Sequence, residues 1–330
     1  MIDVIYVERE ALGYPLAAQV IRRHPKARVI EIERHGALFN RANQNFRLQK
    51  NRPALVLAVK HGRTVLPVPE GYGLGGSRNF YFSHMLNCLY DCRYCFLQGM
   101  YRSAAHVLYV NYEDFADAIR SETATDSGEP AWFFSGYDCD SLAMEPLTGF
   151  VRTFLPVFEP LSRARLELRT KSTQVRSLLA REPLANVVVA FSFTTAAAGV
   201  FEHRVPAEAR RVEAMAALQA RGWPVGLRFD PLIDHDGFED EFAALLERIF
   251  SRVDPRALHS VCVGAFRLPR DFHRRMRRLY PREALFVRNL AENSGMVTMA
   301  REGELLAGAR RQLRGRVPES ALFFIEEGRA

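Results

Sequence analysis

Lysine is almost missing from this chain. Of 45 basic residues only Lys26, Lys50, Lys60 and Lys171 are lysines; arginine carries the rest of a formal net charge of +7. Guanidinium grips phosphate bidentately, so such a surface suits nucleic acid. A high-GC genome also writes arginine in place of lysine, so only local clusters of charge carry weight. Cysteine is scarce as well. There are five, an odd number, which argues against a disulfide framework and for a reducing compartment. No apolar run approaches the roughly 20 residues of a membrane span. The opening Met1-Ile-Asp-Val-Ile-Tyr-Val-Glu-Arg-Glu10 places acids where a signal peptide needs a basic region. These absences lead us to expect a cytoplasmic protein with no membrane partner. Internal repeats and low-complexity tracts are lacking too, and 330 residues at 48% hydrophobic content suffice for a large core.

What is present is concentrated in Asn87-Cys-Leu-Tyr-Asp-Cys-Arg-Tyr-Cys-Phe-Leu-Gln98. Cys88, Cys92 and Cys95 are spaced C-x3-C-x2-C on a polar, aromatic segment. A zinc site usually takes four ligands, and no fourth Cys or His follows at finger-like spacing. Three packing cysteines, or zinc completed by a distant histidine, are the plain alternatives. Three thiolates suit a cubane [4Fe–4S] cluster whose fourth iron is open to an outside ligand. That arrangement resembles the radical S-adenosylmethionine (SAM) enzymes. In that superfamily the amino and carboxylate groups of SAM chelate the open iron, and an electron from the cluster cleaves SAM to methionine and a 5′-deoxyadenosyl radical.

Along the chain, residues 1–79 form a leading segment with a short amphipathic helix at Tyr14–Arg23 and strands at Ala27–Ile32 and Leu55–Lys60. Gly71-Tyr-Gly-Leu-Gly-Gly76 matches G-x-G-x-x-G, but no helix pattern opens after it, so it is not read as a nucleotide loop. Residues 80–265 alternate strand and helix. Strands are expected at Phe80–His84, Ala131–Ser135, Arg165–Arg169, Val187–Ser192, Val225–Phe229 and Leu258–Val263. Helices are expected at Tyr112–Arg120, Pro206–Gln219, where Gly222 acts as the stop, and Phe238–Ile249. Six β/α units in a row predict an α/β fold: a parallel sheet curled into a partial (β/α)6 TIM-type barrel with N-terminal and C-terminal extensions. Residues 266–330 read as a basic, interrupted C-terminal segment with nucleic acid as a candidate partner.

Active sites in such folds gather at the C-terminal ends of the strands. There the sequence places Ser135, Tyr137, Cys139, Asp140 and Ser141 after the second strand, Lys171 after the third, Ser192 on the fourth and Asp230-Pro231 on the fifth. Small polar groups and one cation suit the ribose, adenine and carboxylate of SAM, although Lys171 can equally be a solvated surface lysine. His84 reads as a core histidine held by a backbone carbonyl, Cys262 as core, and Arg204 as either an anion ligand or an internal salt-bridge partner.

At this point the chain resembles the spore photoproduct lyase family of radical SAM proteins, from about Ile5 to Arg267. The resemblance rests on Ile5-Tyr-Val with Tyr14-Pro-Leu16, the cluster motif ending Tyr-Cys-Phe-Leu-Gln, and Val110-Asn111 with Glu113-Asp114. It rests also on Asp140-Ser-Leu-Ala, Thr170-Lys171, Phe191-Ser192 and Phe229-Asp-Pro231. It implies a SAM-bound cluster on Cys88, Cys92 and Cys95, with Lys171 and Ser192 as SAM contacts and Tyr94 in the adenine pocket and hydrogen relay. Ser135, Asp140 and Ser141 join them as cofactor-binding candidates. The implied substrate is 5-thyminyl-5,6-dihydrothymine, a UV lesion in DNA. The adenosyl radical takes a hydrogen from its C6, the methylene bridge breaks, a protein donor quenches the product radical, and SAM is regenerated. A low-potential donor such as ferredoxin or flavodoxin is the implied source of electrons.

Three departures stand against that pattern. The family's cysteine donor has its nearest equivalent here at Tyr137, with Cys139 two residues on; because thiols give up hydrogen atoms readily, Cys139 is the expected donor, with Tyr137 and Tyr94 as the alternatives. Phe96 replaces the relay's second tyrosine. The family's lesion-contacting tail is replaced by an arginine-rich run from Arg267 to Arg282, in which Phe272 and Tyr280 are placed to stack bases and the arginines to grip phosphates, or in which the arginines form a solvated helix face. Alternative readings are a same-family enzyme acting on another lesion, an RNA base or a small molecule, and a non-catalytic Fe–S protein.

Overall fold

The computed structural model describes residues 2–69, 73–125 and 128–325. Gly71 and Tyr72 of the glycine-rich motif lie outside this set. All six expected strands form, at Asn79–Phe82, Ala131–Phe134, Ala164–Thr170, Val187–Ser192, Val225–Leu232 and Ser260–Ala265. They pair in sequence order, each parallel to the next. Two more strands extend the sheet to eight: Val65–Pro67, antiparallel beside the first, and Leu322–Ile325, parallel beside the sixth. The fold is α/β, a curled partial TIM-type barrel.

Period-2 alternation sorts the side chains of this sheet. Phe133, Leu166, Leu168, Val189, Phe191, Leu227, Phe229 and Val261 face outward into one large apolar core shared with the helices. Among these helices, Glu208–Arg221 ends at Gly222, whose φ of 98° is a left-handed conformation that a side chain would strain. Phe238–Phe250 begins with Glu239, Asp240 and Glu241, which favour the positive end of the helix dipole. The alternate residues face inward. Some make a small second cluster of Leu74, Phe134 and Cys262 with Tyr81, Trp132 and Phe323. Others are charged: Glu167, Arg169, Arg228 and Asp230.

The leading strands Val4–Glu8, Arg28–Ile32 and Leu55–Ala58 build a separate five-stranded sheet with His106–Tyr109 and Met85–Leu86. The C-terminal segment is more regular than its composition predicts. A three-stranded antiparallel sheet of Arg267–Pro269, Met296–Met299 and Leu290–Asn293 precedes the helix Glu302–Leu313, and the arginine run folds as the helix Arg270–Leu279. Among the described residues no helix is long and apolar enough to cross a membrane.

Candidate active site at the mouth of the barrel

The three-cysteine loop is fastened from several directions before any cofactor is considered. Asn87 takes a left-handed φ of 68°, which asparagine tolerates better than most residues. Its amide donates to the carbonyls of Ser103 (2.8 Å) and Ala105 (2.7 Å). Lys50, on the helix Phe46–Asn51, donates to the carbonyls of Cys88 (3.3 Å) and Tyr90 (3.4 Å). Asp91–Cys92 pairs antiparallel with Glu202–His203. Arg204, in the left-handed region, donates to the Lys50 carbonyl at 2.7 Å and so clamps the backbone of the helix that carries Lys50. From the far side the helix Arg270–Leu279 packs on Leu97–Met100, so closely that a Cβ on Gly99 would meet the Phe272 carbonyl at 2.6 Å. Arg275 donates to the Gly99 carbonyl (2.8 Å) and Tyr280 to Gln98 Oε1 (2.9 Å).

Alternation within the loop sends neighbouring side chains to opposite sides. Cys92 and Tyr94 face the barrel. Tyr94 donates its hydroxyl to Glu202, Lys171 Nζ sits 3.6 Å from Glu202 and 5.6 Å from the Tyr94 ring centre, and Arg211 donates to Glu202 at 3.1 Å and to the Ser192 carbonyl at 2.7 Å. The Glu202 side chain is thus a buried hub that accepts from Tyr94 and Arg211 and pairs with Lys171. Asp91 and Arg93 face outward, against Tyr280. Burial pushes all three thiols up, Cys88 to about 12, with Asp140 adding to the effect at Cys88. Lys171 opposes the rise at Cys92 and Cys95, and Lys50 opposes it at Cys88 and Cys95. Bound iron would supply the remaining charge.

The residues fit an iron–sulfur cluster. All three cysteines are free and come from one short, fixed loop, and two lysines favour their thiolate forms. Among the described residues no three His, Cys, Asp or Glu side chains converge on a single ion. A cubane takes one thiolate per iron and spreads its ligands more widely.

The other expected site residues fall into two groups. Lys171, Ser192 and Tyr94 come together at the strand ends through Glu202 and Arg211. Asp140 is spent on the chain itself: it accepts from the backbone of Leu142, Ala143 and Lys171 and from the Thr170 hydroxyl. Ser135 and Ser141 bond each other at 2.9 Å, both buried. Cys139 and Tyr137 diverge. The Cys139 thiol faces the core, 3.8 Å from the Ser135 carbonyl and 4.0 Å from His84 Nδ1. His84 is indeed a core residue, packed at a tilt on Phe150 with ring centres 4.1 Å apart and held neutral by burial, down to about 3, but its ring nitrogen meets a thiol in place of the expected carbonyl. Tyr137 lies on the inner side, stacked on Tyr81 at 4.3 Å and against Phe96 at 5.5 Å. Between the two, Asp138 is pinned by Ser83 and by Tyr101 at 2.8 Å.

Below this mouth runs an ion network in which the sequence marks Asp230 and Arg267 but not the pair at its centre, Glu167 and Arg228. Glu167 and Arg228, both fully buried, pair at 2.6 Å. Arg169 bridges Glu167 (3.0 Å) to Asp230 (3.5 Å), and Arg267 reaches Asp230 at 3.3 Å. Burial alone would raise the Glu167 carboxyl, but Arg228 and Arg169 hold it at about 2. The arginine run is accordingly part of the structure. Arg267, Arg270, Arg274 and Arg275 have partners within the chain, and Tyr280 is buried beneath Arg93 at 4.0 Å and unavailable for base stacking. Arg277, Arg278 and Arg282 remain exposed.

Comparison with known proteins agrees with this geometry. The family model for spore photoproduct lyase matches residues 1–292. A spore photoproduct lyase from Bacillus subtilis (strain 168) is 23% identical over 265 residues, covering 78% of this chain and 76% of that protein. One from Geobacillus sp. (strain Y412MC61) is 22% identical over 257 residues, covering 76% and 74%. Among solved structures, spore photoproduct lyase complexed with dinucleoside spore photoproduct superposes with a TM-score of 0.82 at 18% identity, covering 99% of this chain and 98% of that one. A mutant with bound AdoMet and dinucleoside spore photoproduct reaches 0.83 over the same spans, also at 18% identity. The chain belongs to the spore photoproduct lyase family.

Proposed function

We propose that this protein is a radical SAM lyase that repairs the thymine photoproduct 5-thyminyl-5,6-dihydrothymine in DNA. The observation that carries the reading is the three-cysteine loop closing onto Lys171 and Tyr94 at the mouth of a parallel barrel, in a chain of this family. When bound, cluster and SAM together supply a 5′-deoxyadenosyl radical able to take the C6 hydrogen of the lesion. The chain's own residues do the rest. Cys88, Cys92 and Cys95 hold the cluster. Lys171, beside the loop and only partly offset by Glu202, holds the SAM carboxylate, and Ser192 and Tyr94 line the nucleoside. Asp140, Ser135 and Ser141 position the 135–141 turn through the bonds described above. Tyr137 is on the inner side and Cys139 in the core, so we place Tyr137 ahead of Cys139 as hydrogen donor to the product radical. The exposed Arg277, Arg278 and Arg282 are candidates for phosphate contacts, and a low-potential carrier of the ferredoxin or flavodoxin type supplies the electron.

The test is incubation of anaerobically reconstituted, reduced protein with SAM and irradiated DNA, with photoproducts counted by mass spectrometry. Loss of the lesion with recovery of thymine is expected; an unchanged count of every thymine dimer removes the reading. Clean repair by Cys139→Ala with loss of repair by Tyr137→Phe supports the donor assignment, and the reverse pattern overturns it.

A further inference from the structure

The outward face of the cluster loop forms one wall of a cleft of about 350 Å³, lined by Arg47, Leu48, Lys50, Asp91, Arg93 and Tyr280 among others. Of its three cations, Arg93 pairs with Asp91 at 3.1 Å and Glu283 at 3.7 Å, Lys50 is buried with its ammonium on the loop carbonyls, and Arg47 stands exposed at the rim. Leu48 is 66% exposed, an apolar residue at the edge of a basic cleft. Arg93 lies over the Tyr280 ring at 4.0 Å from its centre and Arg47 at 5.7 Å. Its hydroxyl donates to Gln98 Oε1 at 2.9 Å, and Gln98 Nε2 donates in turn to the Cys92 carbonyl at 3.3 Å. A short bonded path therefore leads from a surface cleft to the backbone of a cluster cysteine. The loop's alternation sets this cleft on the side opposite Cys92, Tyr94 and Lys171, so an occupant would leave the SAM side open.

We infer that this cleft is the docking site of an acidic one-electron carrier protein, the source of the electron that the proposed reaction requires; the inference rests on that reading. The carrier's acidic rim would meet the exposed Arg47, and the apolar edge of its redox group would rest on Leu48. In the transfer itself one electron leaves the reduced carrier and one is gained by the oxidised cluster, with no atom exchanged. A nucleic-acid strand fits less well, because the one aromatic ring in the lining, Tyr280, is buried with Arg93 over it at 4.0 Å and offers no face on which to stack a base.

The experiment compares reconstituted wild type with Arg47→Glu and Leu48→Asp, using an acidic flavodoxin as the probe. Binding of the oxidised flavodoxin is read by titration calorimetry at low and high salt, and cluster bleaching is read with reduced flavodoxin and separately with dithionite. For Arg47→Glu we expect association weaker by about tenfold at low salt, the gap closing at high salt, because a rim charge acts mainly through steering. Bleaching by flavodoxin slows in proportion while bleaching by dithionite is unchanged. Leu48→Asp weakens binding at both salt concentrations. Equal flavodoxin binding and bleaching in all three proteins overturns the inference, and so does an equal loss with both reductants, which marks damage to the loop. Loss of DNA affinity in Arg47→Glu with intact flavodoxin binding overturns it in favour of nucleic acid. Wild type that bleaches but, given SAM and the lesion, neither repairs the lesion nor forms 5′-deoxyadenosine removes the proposed function and leaves the docking result standing on its own.

Discussion

The outer and inner faces of the central sheet are made by alternate residues of the same strands, yet they share almost no chemistry. On the third strand Leu166 and Leu168 face the helices while Glu167, Arg169 and, just beyond, Lys171 face inward. On the fifth, Leu227 and Phe229 alternate with Arg228 and Asp230. The outer face is continuous apolar core and carries stability by burial. The inner face buries charge, which costs desolvation that ion pairing at best offsets. A chain keeps such a face for geometry and electrostatics, so the comparison separates the residues that hold the fold from those that prepare the site.

The largest expected effects break the comparison from either side. Phe191→Ala, on the outer face with no exposed surface, should cost about 3–5 kcal/mol, as deletion of a buried ring does. Glu167→Gln should cost a similar 3–5 kcal/mol, because it leaves Arg228 buried without its counter-charge. The two mechanisms part when the partner is also replaced. Glu167→Met with Arg228→Met should recover most of the stability, whereas no second replacement was needed to explain the cost at Phe191. Chemical denaturation of all four proteins checks this, and a double variant no better than Glu167→Gln contradicts the account of the inner face.

Acid sharpens the same contrast at smaller scale. His84 and His106 are buried and held neutral, each at about 3. In the unfolded chain they titrate near 6.5, so below that pH the unfolded state binds protons the native state does not. Their contribution is therefore complete above about pH 6.5 and is lost as pH falls toward 3, at up to about 1.4 kcal/mol per group and pH unit. Glu167 follows lower down, complete above 4.5 and lost as pH falls toward 2. Thermal midpoints of the protein should be level from pH 8 to 7 and drop between 6.5 and 5; a level profile down to pH 5 contradicts neutral buried histidines.

The smallest effect on stability belongs to Lys171→Ala, about 1 kcal/mol, since Glu202 keeps Arg211 and the Tyr94 hydroxyl. SAM binding should weaken in the same variant by about tenfold to a hundredfold, the usual worth of one hydrogen bond to a charged group. A variant that unfolds readily yet binds SAM normally would assign Lys171 to the fold.

The strand pattern was legible because each strand alternates and each is bounded by turn residues, and the cysteine spacing announced the cluster loop. Lys171 was legible because it is the one lysine of the barrel region. Glu202 was not, because its partners lie 108 residues away at Tyr94 and on a neighbouring helix at Arg211. The Glu167–Arg228 pair was hidden for the same reason: inside an alternating strand a charge reads as solvent-facing, and only curling of the sheet makes that face an interior. Asn87 carries no local sign that its backbone is left-handed. The arginine run misled in part, because composition marks a helix as basic without telling which of its arginines end on carbonyls of the cluster loop.

If the inner face serves one radical reaction on one lesion, the hydrogen taken from C6 must be traceable. The experiment gives the reduced protein unlabelled SAM and a spore photoproduct dinucleotide deuterated at C6 and follows the label by mass spectrometry. Deuterium is expected in 5′-deoxyadenosine or in regenerated SAM, together with restoration of the two thymines of the dinucleotide. Deoxyadenosine formed without deuterium, and lesion left intact, would contradict the proposed reaction.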